Sequence, residues 1–381
     1  MKINLVIYSL DMGGAERVMS IMANHWASQG HDVTLITLLD SQDYYQLDNR
    51  VCRIRLDKAG SSDGNIWKAA KSNIARVNAL RRVFKKLTPD VIISFTARIN
   101  VITLLAAYGL DIPVLVSERT DPTQAVISRP WQILRHLMYR WAYTVVVQSN
   151  DALLKSQSLF SGSRTAVIPN PVSMATYESN DRQYDIKLRA LAGLHDSAHI
   201  IAGMGRFDFA KGFDLLIEAF ALIADRYSDW FLVLIGDGRE RETLHQMIVN
   251  HGLGERVFLV GPTKTPQSLL SQTDIFVLPS RFEGFPNALL EAMACGVAVI
   301  SFDCPSGPRD IIRPNHDGIL VESKNSEALA QAIEEMILNP ATRKQLGDNA
   351  REVLSRFSVS MVMGLWQSQI PHMNWNDQGG C

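Results

Sequence analysis

The 381-residue chain has little of what would commit it to a membrane span, a disulfide frame or a metal centre. Its longest candidate membrane segment, Ile99 to Leu110, falls well short of the roughly 20 apolar residues a spanning helix needs. Asn4 and Asp11 interrupt the first apolar run, which reads as a first strand rather than a signal peptide. The four cysteines, Cys52, Cys295, Cys304 and Cys381, form neither a CxxC nor a metal-ligand spacing, which suits free thiols in a reducing compartment. Short-period repeats and low-complexity stretches are absent, and a formal net charge of -1 is by itself uninformative. What remains is an ordinary globular composition, too long for one typical domain, so two domains of similar size are expected.

Divided along the chain, the charge is informative. From Asn65 to Val145 there are 12 Lys and Arg against 4 Asp and Glu, a balance of +8; from Glu283 to the end there are 7 against 12, a balance of -5. A basic first half suits an anionic surface or ligand. Read as a helix, Pro130 to Ala142 puts Trp131, Leu134, Leu137, Met138 and Trp141 on one face, with Arg135, His136 and Arg140 elsewhere. Such a helix either lies on anionic lipid or packs its apolar face on its own sheet, and the sequence leaves both open. The run Arg81 to Lys86 reads as a solvated helix end.

Short β-rich runs at Ile3 to Tyr8, Val33 to Thr37, Val91 to Ser94, Val114 to Ser117, Thr144 to Gln148 and Ala166 to Ile168 alternate with helical stretches. That alternation predicts a parallel sheet covered on both faces. Pro169-Asn170-Pro171 stops the pattern, and a polar stretch follows, its later part open to a helical reading. Strands resume near Ile200 to Met204, Phe231 to Ile235, Val257 to Val260, Ile275 to Leu278, Val297 to Ser301 and Ile319 to Val321. The expectation is an α/β chain of two Rossmann-like doubly wound domains facing across a cleft. Their expected bounds are 1–172 and 196–355, with 173–195 as linker. A helix at about 356–370 should return to the first domain, and 371–381 should be a disordered tail.

Ligands of such sheets bind beyond the carboxyl ends of the strands, so the loops there carry the chemistry. Gly13-Gly14-Ala15-Glu16-Arg17 follows the first strand; its paired glycines allow close backbone approach and its amides favour phosphate, although a bare turn would also use Gly-Gly. It lacks the GxGxxG spacing, which weakens a dinucleotide dehydrogenase reading. Gly205-Arg206 with Lys211-Gly212 sets two cations five residues apart at a helix N-terminus, able to grip a diphosphate and to stabilise it as it leaves. Gly236-Asp237-Gly238 shapes a turn. The run from Arg281 through Glu283-Gly284-Phe285-Pro286-Asn287 to Glu291 and Gly296 sets one carboxylate on a loop and another, eight positions on, on a short buried helix. Buried there, Glu291 needs hydrogen bonds, which sugar hydroxyls would supply.

These four motifs, in order and spacing over residues 1 to about 355, resemble the retaining glycosyltransferases of the GT-B fold, family 4 (glycosyl transferases group 1), specifically its bacterial lipid-linked oligosaccharide and polysaccharide assembly enzymes. The resemblance implies a UDP-sugar or related donor bound mainly by the second half. It further implies that Arg206 and Lys211 hold the diphosphate, Glu291 takes the ribose hydroxyls and Glu283 lies by the donor sugar. The loop Gly284-Phe285-Pro286-Asn287, through the amides of Gly284, Phe285 and Asn287, would border sugar or phosphate, and Val260-Gly261 the base. Gly13 and Gly14 would approach the phosphates or the acceptor. No metal or other cofactor is implied, in keeping with the absence of an Asp-Xaa-Asp pair. Where many relatives carry a histidine near the donor sugar, this chain reads Glu118-Arg119, so Arg119 would act electrostatically or in sugar recognition. A Glu118–Arg119 ion pair shaping the loop is the alternative. The implied activity is transfer of a hexose or N-acetylhexosamine, with retention, to a polyprenyl-diphosphate-linked saccharide in bacterial surface-glycan or glycoprotein-glycan assembly. The implied location is peripheral, on the cytoplasmic face of the inner membrane, held there through the first domain; nucleic acid has no part in it. A GT-B-fold UDP-sugar 2-epimerase and a non-catalytic nucleotide-sugar-binding assembly protein are the rival readings.

Overall fold

The computed structural model describes residues 1–56, 66–123, 127–160, 162–174 and 188–371. The chain divides into two compact units, one made of Met1–Pro171 and the segment from Val359 on, the other of Val172–Ser358.

In the first unit seven strands, β1 (Lys2–Ile7), β2 (Asp32–Thr37), β3 (Cys52–Arg55), β4 (Val91–Phe95), β5 (Val114–Ser117), β6 (Thr144–Val147) and β7 (Thr165–Val167), form one sheet in the order β3-β2-β1-β4-β5-β6-β7. Every neighbouring pair is parallel. Val91 to Phe95 and Val114 to Ser117 are buried throughout, which is why they read as continuous rather than alternating runs. β3 is the strand missing from the expectation. As an edge strand it is only part-buried, and Arg53 and Arg55 dilute its apolar signal. The helix Val359–Ser368 belongs to this unit: Trp366 is fully buried beside Ile3, Leu5 and Phe95. Its ring centre lies 5.9 Å from that of Phe95.

The second unit holds β8 (His199–Met204), β9 (Trp230–Ile235), β10 (Val257–Val260), β11 (Ile275–Leu278), β12 (Ala298–Phe302) and β13 (Ile319–Val321) in the order β10-β9-β8-β11-β12-β13, again all parallel. One correction concerns the expected linker. Residues 188–195 are part of this unit, because the helix Leu188–Leu191 buries Leu188 in the same core as Ala192, Ile200 and Val233. Residues 175–187 and the expected tail from 372 on lie outside the described residues. Likewise Arg356 ends the short helix Val353–Arg356 of the second unit instead of opening the returning helix.

Among the described residues no helix is long and apolar enough to cross a membrane. The segment expected as one amphipathic helix is the helix Arg129–Met138 followed by a 3-10 turn, Tyr139–Trp141. Its apolar residues divide between two sides. Trp131, Leu134 and Met138 pack against the sheet's own core, whereas Ile133, Leu137 and Trp141 are exposed.

Candidate active site

In the second sheet the strand order reverses at β8, so the loops that follow β8 and β11 lie side by side at its carboxyl edge. They are tied to each other at several points. The Arg281 amide donates to the Ala210 carbonyl at 2.8 Å, and the Arg281 guanidinium donates to the Phe209 carbonyl and, through both terminal nitrogens, to the Asp214 carboxylate. The same guanidinium lies 4.2 Å from the centre of the Phe209 ring. Gly212 sits at φ 63°, and a Cβ there would stand 2.1 Å from the Pro279 carbonyl oxygen. Only glycine fits both the left-handed backbone and the close approach. A Cβ on Gly236, after β9, would stand 2.0 Å from the Gly205 carbonyl oxygen, so the turns after β8 and β9 are packed backbone to backbone.

This frame brings Lys211 and Glu283 together. Lys211 Nζ lies 2.6 Å from Glu283 Oε1, with their side chains 24% and 9% exposed. The same oxygen accepts from Ser280 Oγ at 2.7 Å. One carboxylate oxygen therefore collects a cation from a loop 72 positions away and a hydroxyl from its own loop. Cys304, on the next loop, is buried, and burial together with the Glu283 charge pushes its thiol well above the usual range. It stays protonated at neutral pH. The Arg206 side chain is exposed and bonds to no described residue, so it can meet a ligand at no cost in lost partners.

Glu291 stands on the helix Asn287–Ala294, which follows Pro286, and is 5% exposed. Phe285 and Pro286 are buried, anchoring the loop that carries Gly284. Val260 ends β10, where its carbonyl accepts from the Gly236 amide, and Gly261 beyond it faces open space. Among the described residues no group of three or more His, Cys, Asp and Glu is arranged to hold a metal ion.

Gly13, Gly14 and Arg119 belong to the first unit. Gly13 caps the helix Gly14–Ser28, its carbonyl accepting from Tyr45 Oη at 2.9 Å, and the Glu16 carboxylate curls back into the space a Gly13 side chain would fill. Thr96, directly after β4, has φ 76°, a strained value for a β-branched residue at the ligand edge of a sheet. The expected alternative of a Glu118–Arg119 ion pair does not form. Glu118, buried, accepts from Tyr139 Oη at 2.5 Å and faces Arg135 at 3.5 Å. Burial raises its pKa, with the Arg135 charge and the Tyr139 hydrogen bond opposing. Arg119 goes elsewhere: its guanidinium lies 4.2 Å from the centre of the Phe95 ring and donates to Asn170 Oδ1 at 2.5 Å. Adjacent residues leaving a strand point to opposite faces, which separates the two.

The sequence assigns no binding role to Ser280, Arg281, Asp214 or Asn170. Arg281 opens the two-glutamate motif, yet its partner Asp214 lies 67 positions away, and the sequence holds no signal for that pairing.

Comparison with known proteins settles the family. Residues 187–353 match the model of the glycosyl transferases group 1, and residues 13–171 match that of the glycosyl transferase 4-like domain. The chain belongs to the family 4 glycosyltransferases. Over 368 residues, 96% of this glycosyltransferase and 97% of the relative, it is 27% identical to the Campylobacter jejuni GalNAc-alpha-(1->4)-GalNAc-alpha-(1->3)-diNAcBac-PP-undecaprenol alpha-1,4-N-acetyl-D-galactosaminyltransferase. Its fold matches sucrose-phosphate synthase from Thermosynechococcus elongatus with a TM-score of 0.83 at 22% identity, over 97% and 98% of the two chains. It matches Anabaena Alr3699/HepE, solved with UDP and glucose, with a TM-score of 0.79 at 22% identity, over 97% and 98%. The two parallel-sheet units of this glycosyltransferase are therefore the Rossmann-like domains of the GT-B fold.

Proposed function

We propose that this glycosyltransferase transfers a hexose or N-acetylhexosamine from a UDP-sugar, with retention of the α configuration, to a polyprenyl-diphosphate-linked saccharide at the cytoplasmic face of a bacterial inner membrane. The observation that carries the reading is the Lys211–Glu283 pair, set at the carboxyl edge of the second sheet beside the helix bearing Glu291. Arg206 and Lys211 take the diphosphate and stabilise its charge as it leaves, without a metal. Glu291 receives the ribose hydroxyls, Val260-Gly261 borders the base, and Glu283 with the loop Gly284 to Asn287 orients the donor sugar. Gly13 and Gly14 serve the phosphates or the acceptor, and Arg119 acts electrostatically or in sugar recognition. The Campylobacter relative's lipid-linked N-acetylgalactosamine chemistry supports the acceptor class, and UDP in the HepE structure supports the nucleotide.

A panel of UDP-hexoses and UDP-N-acetylhexosamines, incubated with a membrane extract as acceptor, should release UDP, equally with and without EDTA. The product should carry an α linkage by NMR. Conversion of a UDP-sugar without acceptor would instead mark an epimerase, and donor binding with no UDP release under any condition would mark a binding protein.

Membrane association is read from the first unit. Ile133, Leu137 and Trp141, four residues apart, expose apolar side chains, and Arg129 and Arg140 of the same segment are exposed as well. The Trp141 ring lies 4.4 Å from that of Tyr108, and Arg164 sits over the exposed Tyr143 ring. Aromatic and apolar tips rimmed by arginine suit an anionic bilayer surface. In flotation with phosphatidylglycerol vesicles, the double substitution Leu137→Ser, Trp141→Ser should weaken binding by about tenfold or more, the scale of losing two inserted side chains. Binding should also fall with added salt and be weak on phosphatidylcholine. Unchanged binding of the variant would reject this face.

A further inference from the structure

Two buried amides at the ends of β6 and β7 have no part in the reading above. Gln148 and Asn170 are 4% and 2% exposed, and Asn170 Oδ1 accepts from both Gln148 Nε2, at 2.6 Å, and Arg119 Nη2, at 2.5 Å. One neutral oxygen thus fixes one edge of the guanidinium while the Phe95 ring supports its face. Arg119 Nε, buried, finds no hydrogen-bond partner among the described residues. Other enclosed arginines among the described residues are held differently: Arg281 is paired with Asp214 and Arg53 with Asp43, Arg135 faces Glu118, and Arg256 donates to the Ala224, Tyr227 and Trp230 carbonyls. A carboxylate in hydrogen-bond contact fixes a guanidinium and neutralises it together; an amide fixes it and leaves the charge available. Glu16 contributes at longer range only: it partly offsets the desolvation that lowers the Arg119 pKa to about 9, and the side chain stays cationic at neutral pH.

We propose that Asn170, backed by Gln148, is the positioning residue of Arg119 and holds it, with no carboxylate in hydrogen-bond contact, as a cation for a diphosphate oxyanion of a substrate. The assignment rests on the transferase reading and adds to it the class of group that Arg119 receives. Two substrates carry that chemistry, the nucleotide sugar and the lipid-linked acceptor, and the kinetics separate them.

Asn170→Asp is nearly isosteric and places a carboxylate directly on the guanidinium. If Asn170 merely braced the loop, the new ion pair would preserve both stability and rate. The expected result is a melting temperature no lower than that of the unaltered protein, with kcat/KM down tenfold or more. A rise in the donor KM identifies the nucleotide's diphosphate, and a rise in the acceptor KM identifies the acceptor's. A second measurement needs no turnover. Arg119 labelling by phenylglyoxal, mapped by mass spectrometry on the unaltered full-length protein, should be suppressed by inorganic pyrophosphate, and in Asn170→Asp that protection should disappear. If no donor releases UDP, the transferase reading fails by itself and the labelling still decides the Arg119 assignment. Wild-type kinetics in Asn170→Asp, or Arg119 labelling indifferent to pyrophosphate in the unaltered protein, overturns it.

Discussion

Lys211→Ala should lower kcat by about 10²- to 10³-fold, roughly 3–4 kcal/mol of transition-state stabilisation, the scale seen when one preorganised donor to a developing anion is removed. The position of Lys211 leads to that magnitude. Its ammonium lies at the ligand edge of the sheet, just before the helix Phe213–Ala221, on a loop whose course is fixed by Gly212 against Pro279 and by Arg281 against Phe209 and Ala210. A cation held there costs little reorganisation when charge develops on a departing diphosphate. The substitution also leaves Glu283 Oε1 with Ser280 as its remaining side-chain donor. Both side chains keep some solvent contact, so the loss of stability should be small and show as a melting temperature lowered by a few degrees. Affinity for UDP, measured by calorimetry, should fall together with the rate. A wild-type rate in the folded variant would remove Lys211 from the site.

Much of the fold was open to reading because both sheets are parallel and covered on two faces. Val91 to Phe95, Ile275 to Leu278 and Trp230 to Ile235 are buried without interruption, and the helices between them restore the 3.6-residue period. β3 escaped because an edge strand needs to bury only part of itself. The loops were found by position, since a parallel sheet puts its ligand edge after the strands. Pairing between loops was not legible. Lys211 and Glu283, Arg281 and Asp214, and Arg119 and Asn170 meet because the strand order folds distant segments side by side, and no local pattern encodes that order. Glu118 and Arg119 show the converse. Neighbours in sequence with opposite charges suggested a pair, and the two-residue alternation of a strand end sent them to different partners.

Glu283→Gln separates the two jobs the carboxylate could have. Glutamine keeps the shape and can still accept from Lys211 and Ser280, so the loops after β8 and β11 should stay in place. What it removes is the negative charge that Lys211 faces at 2.6 Å. If that charge served only to hold Lys211, its loss would free the ammonium, and UDP would bind as well or more tightly with no loss of rate. If the carboxylate also orients the donor sugar, turnover should fall while UDP affinity does not. The expected result is this split: kcat down by about 10²-fold, UDP affinity unchanged or higher. The double substitution with Lys211→Ala should lose less than the two single losses combined, by a coupling of about 0.5–3 kcal/mol for groups in direct contact. Full additivity would mean that the two side chains act on the donor independently, and a wild-type kcat in Glu283→Gln would leave the carboxylate no part in the transfer itself.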